Sequence, residues 1–576
     1  GGKLNSHLWF AAFARNIRPR HICFLQAGNI CGEYALARLY QTLEEFPDTA
    51  GVGGQMHLYR ATLPNPIEAA QVFENKVLNT MTMALETVFG YVQGLSGELA
   101  MYRWDAVKGA PLTEYFMMEE HSVSELGPLL SNMYLTEDEV LAFGILSAKG
   151  AAWKTRYVPQ SNVDIPGPRT LLELMKTRKR YINGSFLMWA HYVSKFLTVL
   201  RRTNHSILRK FMLSLQFLFN ALQVTMEWFM MAAYYLVMVS LFNMIFDPEQ
   251  WLFLFNIPYV FLLGINVIYG LGSNMQASVH IYSVSTLLFG LSMILFVFGS
   301  LYVWIFGDRN GNELSDPVKY AALLVIGGHV LGALMHGQVM ILLQTFLQYG
   351  FMVPSLINML TIFSFANMHD ISWVTKAGNF VMESKRRQPG DLGGEGGGGE
   401  SKDARKDAAS VANALVKVIG SSNGVDDGGE KGGPLASEAD FGTLAHVVKR
   451  AVETEADEDE ARRWAKIQQE MLKQHLKDQA MFSGFRNRLM SIWLGTNLVA
   501  VFLTMQFNLT RYFAFTLAAA VLAFMAVRLA GTVLFQLGRV VHTMCFLCCP
   551  SCVRRRKTRA PPAADAGPGE GVTVLE

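Results

Sequence analysis

Six apolar stretches constrain this chain more than any other feature. They lie near 222–245, 251–271, 281–305, 320–343, 488–507 and 512–536. Each runs to roughly twenty residues, the length that crosses a bilayer. Hydrocarbon offers backbone N–H and C=O groups no partners but each other, so stretches of this kind fold as helices. The C-terminal two thirds is therefore expected to be an α-helical bundle in a lipid bilayer. The stretch 352–365 is apolar but shorter and is expected to lie in or under the interface. Composition agrees, with 51% apolar and only 17% charged residues, against about 25% charged in soluble domains. The net charge of +3 provides no basic field for nucleic acid.

Basic residues set the expected orientation. Lys376, Lys385, Arg386, Arg387, Arg486 and Arg488 crowd the loop between the fourth and fifth stretches, and Arg554, Arg555, Arg556, Lys557 and Arg559 follow the sixth. With six crossings these fall on one side, which is read as cytosolic, together with residues 1–205. Asn508-Leu509-Thr510 is a glycosylation sequon on the opposite side, but it lies so close to the membrane that no glycan is expected. The glycine-rich run 393–399 and the glycine- and acid-rich run 424–433 cannot bury a core. Residues 441–477 alternate charge over a helix-compatible span. Of six cysteines, Cys23 and Cys31 lie in the N-terminal part, whereas Cys545, Cys548, Cys549 and Cys552 cluster between the last stretch and five basic residues. That is no disulfide framework. The cluster suits zinc by its spacing and palmitoylation by its place beside a membrane, and the latter is preferred.

Residues 1–205 mix short apolar runs with polar breaks. His21 to Gly28 reads as a strand closing on a glycine turn, 34–43 as a helix, 51–58 as a second strand, 69–87 as a long helix and 136–146 as another. Strands alternating with helices predict an α/β domain with a largely parallel sheet. The chain opens on Gly1 directly in patterned sequence, which reads as an N-terminal truncation.

Two groups in this region carry chemistry. Glu137-Asp138 opens a helix. Acids there are favoured by the helix dipole, with Thr136 as N-cap. A carboxylate is also what takes a proton from a sugar hydroxyl, a poor nucleophile. The second group runs Thr177-Arg178-Lys179-Arg180-Tyr181-Ile182-Asn183-Gly184-Ser185-Phe186. It reads either as a basic stop before the membrane or as a cationic clamp for a diphosphate with an aromatic face for a sugar. Asn183-Gly184-Ser185 looks like a turn. His369-Asp370 is read as structural.

These segments, taken together, resemble the chitin synthases, processive inverting glycosyltransferases. The resemblance rests on Gly1-Gly2-Lys3-Leu4-Asn5-Ser6-His7, Asn65-Pro66 through Phe73-Glu74-Asn75-Lys76, Glu86 through Tyr91 to Tyr102-Arg103, Leu135 through Asp138 to Phe143, the 177–186 group, and Asn367-Met368-His369-Asp370 through Lys376. The matches are collinear over residues 1 to about 378. The resemblance implies a partial cytosolic α/β domain of the GT-A type followed by a transmembrane bundle, in a multi-pass protein of the plasma membrane. It implies UDP-N-acetylglucosamine as donor and a growing chitin chain as acceptor, with the polymer extruded across the membrane and a homo-oligomer left open. Asp138 would be the base with Glu137 beside it. Lys3, His7, Thr177, Arg178, Arg180 and Tyr181 would bind substrate, and Mg²⁺ or Mn²⁺ would be the cofactor.

The chain departs from the family pattern at several positions. Gln26 stands where the family carries a metal-associated Asp, Thr177 where it has Gln, Tyr181 where it has Trp, Glu139 where it has Arg, and Val374 where it has Gly. A catalytically impaired partner or scaffold, or a synthase of another β-linked polymer, are the alternative readings. The expected organisation is a partial catalytic domain over 1–205, four spans and an interfacial segment over 206–378, an insertion over 379–485, two spans over 486–540, and a tail over 541–576.

Overall fold

The computed structural model describes residues 3–95, 97–121, 123–272, 275–307, 327–335, 337, 339–370 and 458–548. Residues 1–374 and 482–576 form one compact unit, and 375–481 a second, of which 458–481 are described, as helix.

The N-terminal part of the first unit is built on a five-stranded sheet of order β1-β4-β3-β5-β2. The strands are β1 (His21–Leu25), β2 (Ile30–Cys31), β3 (Thr49–Leu58), β4 (Leu99–Arg103) and β5 (Lys154–Ile165). The sheet is mixed, which corrects the expectation of a largely parallel one. β3 runs parallel to β5, while β1–β4, β3–β4 and β2–β5 are antiparallel. Three strands escaped the sequence reading. β2 is two residues long and β4 five, and β5 carries Pro159, which cannot donate to a ladder and coincides with a register shift opposite Gly54 and Gln55.

Helix α1 (Lys3–Ile17) precedes the sheet. Helix α2 (Ala35–Glu45) places Ala35, Leu39 and Leu43 one turn apart, and all three are fully buried against Val52, Leu99 and Val158. Cys23 and Cys31 are free thiols. Asn65 caps helix α3 (Pro66–Val77), its Oδ1 accepting from the Ile67 amide at 3.1 Å, and Pro66 occupies the first turn. A π-turn (Leu78–Thr82) joins α3 to α4 (Met83–Phe89), so the expected long helix is a single run with a bulge. In that bulge the Thr80 carbonyl accepts from Thr532 at 3.1 Å, tying the run to the last long helix.

A base helix (Glu137–Ser147) and a motif helix (Leu171–Arg202) complete the domain. Thr136 does not cap the base helix. Its hydroxyl turns back to the Met133 carbonyl at 3.3 Å. The motif helix is capped by a reciprocal Thr170–Glu173 pair and runs unbroken for 32 residues. Asn183-Gly184-Ser185 is therefore helical, not a turn. Local propensity is overridden because each of the three meets a partner. The Asn183 amide donates to the Ser364 carbonyl at 2.8 Å, and Ser185 bonds Glu139. Gly184 lies so close to the base helix that a Cβ would fall 2.7 Å from Thr136 Cγ2.

Among the described residues, five helices are long and apolar enough to cross a membrane: Leu252–Gly272, Val279–Phe306, Val339–Ala366, Leu476–Gln506 and Tyr512–His542. A sixth candidate, Ile207–Trp228 with Met230–Ile245, is bent by 60°, where the sequence suggested one span over 222–245. The bend is stabilised by Leu476–Gln506. The Trp228 carbonyl accepts from the Trp493 indole and the Asn497 amide, both at 3.0 Å, and Asn497 Oδ1 accepts from the Ala232 amide at 3.1 Å. The segment expected at the interface, 352–365, instead continues the helix that starts at Val339, with Pro354 and a π-turn inside it. Of the expected span 320–343, residues 320–326, 336 and 338 lie outside the described residues, while 327–335 are helical and 339–343 open the helix that runs on to Ala366. Residues 371–457, with Trp373 and Val374, and Cys549 and Cys552 also lie outside the described residues. The last helix reaches Cys548.

Gly184→Val tests the close approach of the two helices. Forcing a branched side chain against Thr136 should cost about 1–3 kcal/mol, visible as a lowered melting temperature of the detergent-purified protein.

Candidate active site

The sequence patterns leave charged residues on faces that converge between α1, the open end of β1 and β4, the base helix and the motif helix. Lys3 and His7, one turn apart on α1, face the base helix. Lys3 Nζ pairs with Glu137 Oε1 at 2.5 Å, and the Glu137 side chain is almost wholly buried. His7 Nδ1 bonds the Tyr115 hydroxyl at 2.7 Å and stacks on Phe24, with ring centroids 4.5 Å apart. Lys3, His7, Tyr102, Tyr115 and Asp138 line one small pocket with Gly97. The carboxyl of Asp138 sits 3.4–3.5 Å from where a Cβ on Gly97 would stand, so the loop before β4 closes on it directly.

Electrostatics follow from this burial. Desolvation, then the neighbouring Glu137, raises the Asp138 pKa to about 6, while Lys3 and Arg180 act to lower it. Burial opposes the Lys3 charge, but Glu137 and Asp138 outweigh it, and its pKa is raised. Desolvation, then Lys3, depresses His7 to about 4. At neutral pH His7 is thus a neutral hydrogen-bonding group and Lys3 the local cation. Burial and Asp138 lift Glu139 to about 7, although Ser185 and Gln93 hydrogen-bond its charged form.

The motif helix divides its side chains by direction. Arg180 feels Glu137 and Asp138, and its guanidinium lies 4.7 Å over the Tyr181 ring with Nη2 2.9 Å from the hydroxyl. Tyr181 is 41% exposed, so its ring can still receive a ligand. Thr177, one turn before, is partly buried. Arg178 does not join this group. It pairs with Glu74 of α3, because two residues' separation from Arg180 turns it by about 200° on a helix. Lys179 pairs with Asp370, and His369 bonds Arg486 at 3.3 Å, so both members of the His-Asp pair meet basic side chains of other helices.

Gln26 sits in the turn after β1, where Gly28 takes φ +90° and the Asn29 amide bonds the Gln26 carbonyl at 3.2 Å. Across the strand pair the Gln26 amide bonds the Glu98 carbonyl at 3.2 Å, which places Glu98 directly opposite. Glu98 Oε2 accepts from Asn29 Nδ2 at 2.7 Å, and the buried Asn29 Oδ1 has no hydrogen-bond partner among the described residues. Among the described residues no three His, Cys, Asp or Glu side chains gather as a metal site. Mg²⁺ and Mn²⁺, however, take oxygen ligands, often one or two carboxylates completed by substrate phosphates. The Glu98 carboxylate beside an unpaired amide oxygen fits that pattern. The sequence reading missed Glu98, because its relation to Gln26 exists only through the β1–β4 register. It also noted Glu139 only as a departure, although its place beside the acid pair was visible.

A mixed-sheet domain, with buried acids opening the helix that packs beside it, is joined to helices long enough to span a membrane. Similarity to known proteins says which kind of domain it is. Residues 1–196 match the family described as the chitin synthase-like glycosyltransferase domain. The chain is 30% identical over 402 residues to chitin synthase 1 of Phytophthora sojae, covering 65% of this chain and 42% of the relative. It is 30% identical over 413 residues to chitin synthase 1 of Gibberella zeae, covering 66% and 46%. It is 28% identical over 414 residues to chitin synthase 7 of Cryptococcus neoformans, covering 65% and 44%. The chain spans less than half the length of these curated relatives.

Lys3→Met removes a charge that lowers the Asp138 pKa. The carboxyl should therefore titrate at higher pH, and infrared spectra at neutral pH should show more protonated acid than in wild type.

Proposed function

We propose that this chain is the catalytic and membrane portion of a chitin synthase, transferring N-acetylglucosamine from UDP-N-acetylglucosamine to the end of a growing β-1,4-linked chain. The observation that carries this reading is the convergence of Asp138, Glu137, Lys3 and Arg180 beside the exposed Tyr181 ring. The terminal 4-hydroxyl of the acceptor gives its proton to the Asp138 carboxylate as its oxygen attacks the donor's anomeric carbon. The bond from that carbon to the diphosphate oxygen breaks, and UDP leaves with the electron pair. Attack opposite the leaving group converts the α-linked donor into a β-linked product. A base whose pKa is near 6 is ionised at neutral pH and still basic enough to help. Glu137, neutralised by Lys3, holds that cation beside the base. Arg180 offers its fork to the departing diphosphate, and Tyr181 supplies the flat face for the acceptor sugar. The Glu74-bound Arg178 anchors the helix instead.

A bound Mg²⁺ or Mn²⁺ would neutralise charge on the diphosphate, and Glu98 with Asn29 would hold it in place of the acid replaced by Gln26. The long apolar helices pass the polymer outward, with residues 1–205 on the cytosolic side of the plasma membrane. The retained base and arginine speak against an impaired scaffold, and the relatives' names against another polymer.

Membranes bearing the protein should convert radiolabelled UDP-N-acetylglucosamine to a chitinase-sensitive polymer. Asp138→Asn should abolish it. No polymer from folded protein overturns the reading, and retained activity in the Asn variant removes Asp138 as base. Turnover should fall as pH drops through about 6, because protonation of Asp138 removes the base. Glu98→Gln should weaken Mn²⁺ binding in electron paramagnetic resonance titrations with UDP present. Unchanged affinity would show that Glu98 is not a ligand.

A further inference from the structure

Glu139 follows the base directly and replaces the Arg of the family pattern, so a cation has become an anion inside the site. Three residues on two elements grip it. Ser185 of the motif helix donates to Oε1 at 2.6 Å, Gln93 of the loop before β4 donates from Nε2 to Oε2 at 3.0 Å, and the Tyr192 hydroxyl donates to the backbone carbonyl at 2.9 Å. The backbone N–H of Gln93 in turn donates to Glu86 Oε2 of α4 at 3.2 Å. The titratable groups facing Glu139 are Asp138 on its own helix, Glu86 on α4, Tyr91 in the loop and Tyr192 on the motif helix, with Arg528 beside Glu86.

We propose that Glu139 is a positioning residue, whose carboxyl locks the base helix, the motif helix and the loop before β4 into one register and thereby fixes where Asp138 meets the acceptor. This rests on the proposed transferase reading. The grip is directional. Two donors occupy both carboxyl oxygens, so rotation of the base helix would break both bonds. An arginine has no acceptor for either donor, so the family's residue could not make this clamp. The clamp is also a proton site. Ser185 and Gln93 favour the ionised form, whereas burial and Asp138 oppose it, and the balance falls near neutral pH, where Glu139 titrates at about 7, after Asp138.

The test compares Glu139→Leu, Glu139→Gln and Ser185→Ala. A glutamine keeps both contacts if the Gln93 amide flips, but it cannot titrate. Glu139→Leu should lower kcat by up to about 10²-fold with the donor KM little changed, and Glu139→Gln should recover most of that loss. The wild-type rate profile should carry an inflection near 7 that Glu139→Gln lacks, while the limb near 6 persists. Infrared pH difference spectra of the purified protein read the same site without turnover. The Glu139 band should vanish in Glu139→Gln and move to higher pH in Ser185→Ala, which removes a bond favouring the ionised form. Wild-type kcat in Glu139→Leu, or unchanged spectra in both other variants, overturns the proposal. Absence of polymer from wild type would instead sink the transferase reading, and the infrared comparison would still decide whether Ser185 and Glu139 are coupled.

Discussion

The seat of the motif helix on the base helix is the contact on which the site depends. Three successive residues hold the motif helix there, two toward the base helix and the residue before it and one toward another helix, and each points about 100° from the last. Asn183 reaches the Ser364 carbonyl of a membrane helix, Gly184 admits Thr136, and Ser185 bonds Glu139. Leaving a buried amide such as that of Asn183 unpaired costs about 1–3 kcal/mol. The helix is therefore held from the membrane side and from the catalytic side at once. Arg180 and Tyr181 lie within one turn of this seat, so their distance from Asp138 is set by packing rather than by their own flexible side chains.

The acids at the start of the base helix stand in a balanced field. The helix N-terminus favours negative charge there, while burial and the closeness of Glu137, Asp138 and Glu139 disfavour it. Lys3 and Arg180 supply the compensating positive charge. The balance leaves Asp138 ionised but basic near neutral pH. It also explains why His7, one turn from Lys3, stays neutral, since a second cation in this small pocket would face both Lys3 and the loss of solvent.

Much of this was legible in one dimension. The Ala35, Leu39 and Leu43 stripe marked α2, the turn at Gly28 closed β1, and the acid pair and the arginines were found by their chemistry. What was not legible depended on pairing between distant segments. β5 went unread, because its order comes from pairing with β3 across the register shift at Pro159. Asn183-Gly184-Ser185 looked like a turn because turn propensity is local, while the Ser364 carbonyl lies 181 residues away. The bend between Trp228 and Met230 could not be seen in hydropathy, because the groups that satisfy it, Trp493 and Asn497, sit on another span.

The motif's cations show why composition underdetermines a site. A run of Arg, Lys and Arg reads as a single positive patch, and a patch suggests shared duty toward a diphosphate. On a helix the run cannot act that way. Arg178 turns to Glu74, Lys179 to Asp370 and Arg180 to Glu137 and Asp138. Two of the three cations are neutralised by structural partners, which fix the helix axis and its rotation. The third lies in the field of the acid pair Glu137 and Asp138. The density of charge in the motif thus serves the accuracy of one guanidinium more than the strength of a patch, and an Arg-to-Lys change at 178 and at 180 would disturb different things, the first the pairing with Glu74 and the second a planar fork in the field of Glu137 and Asp138.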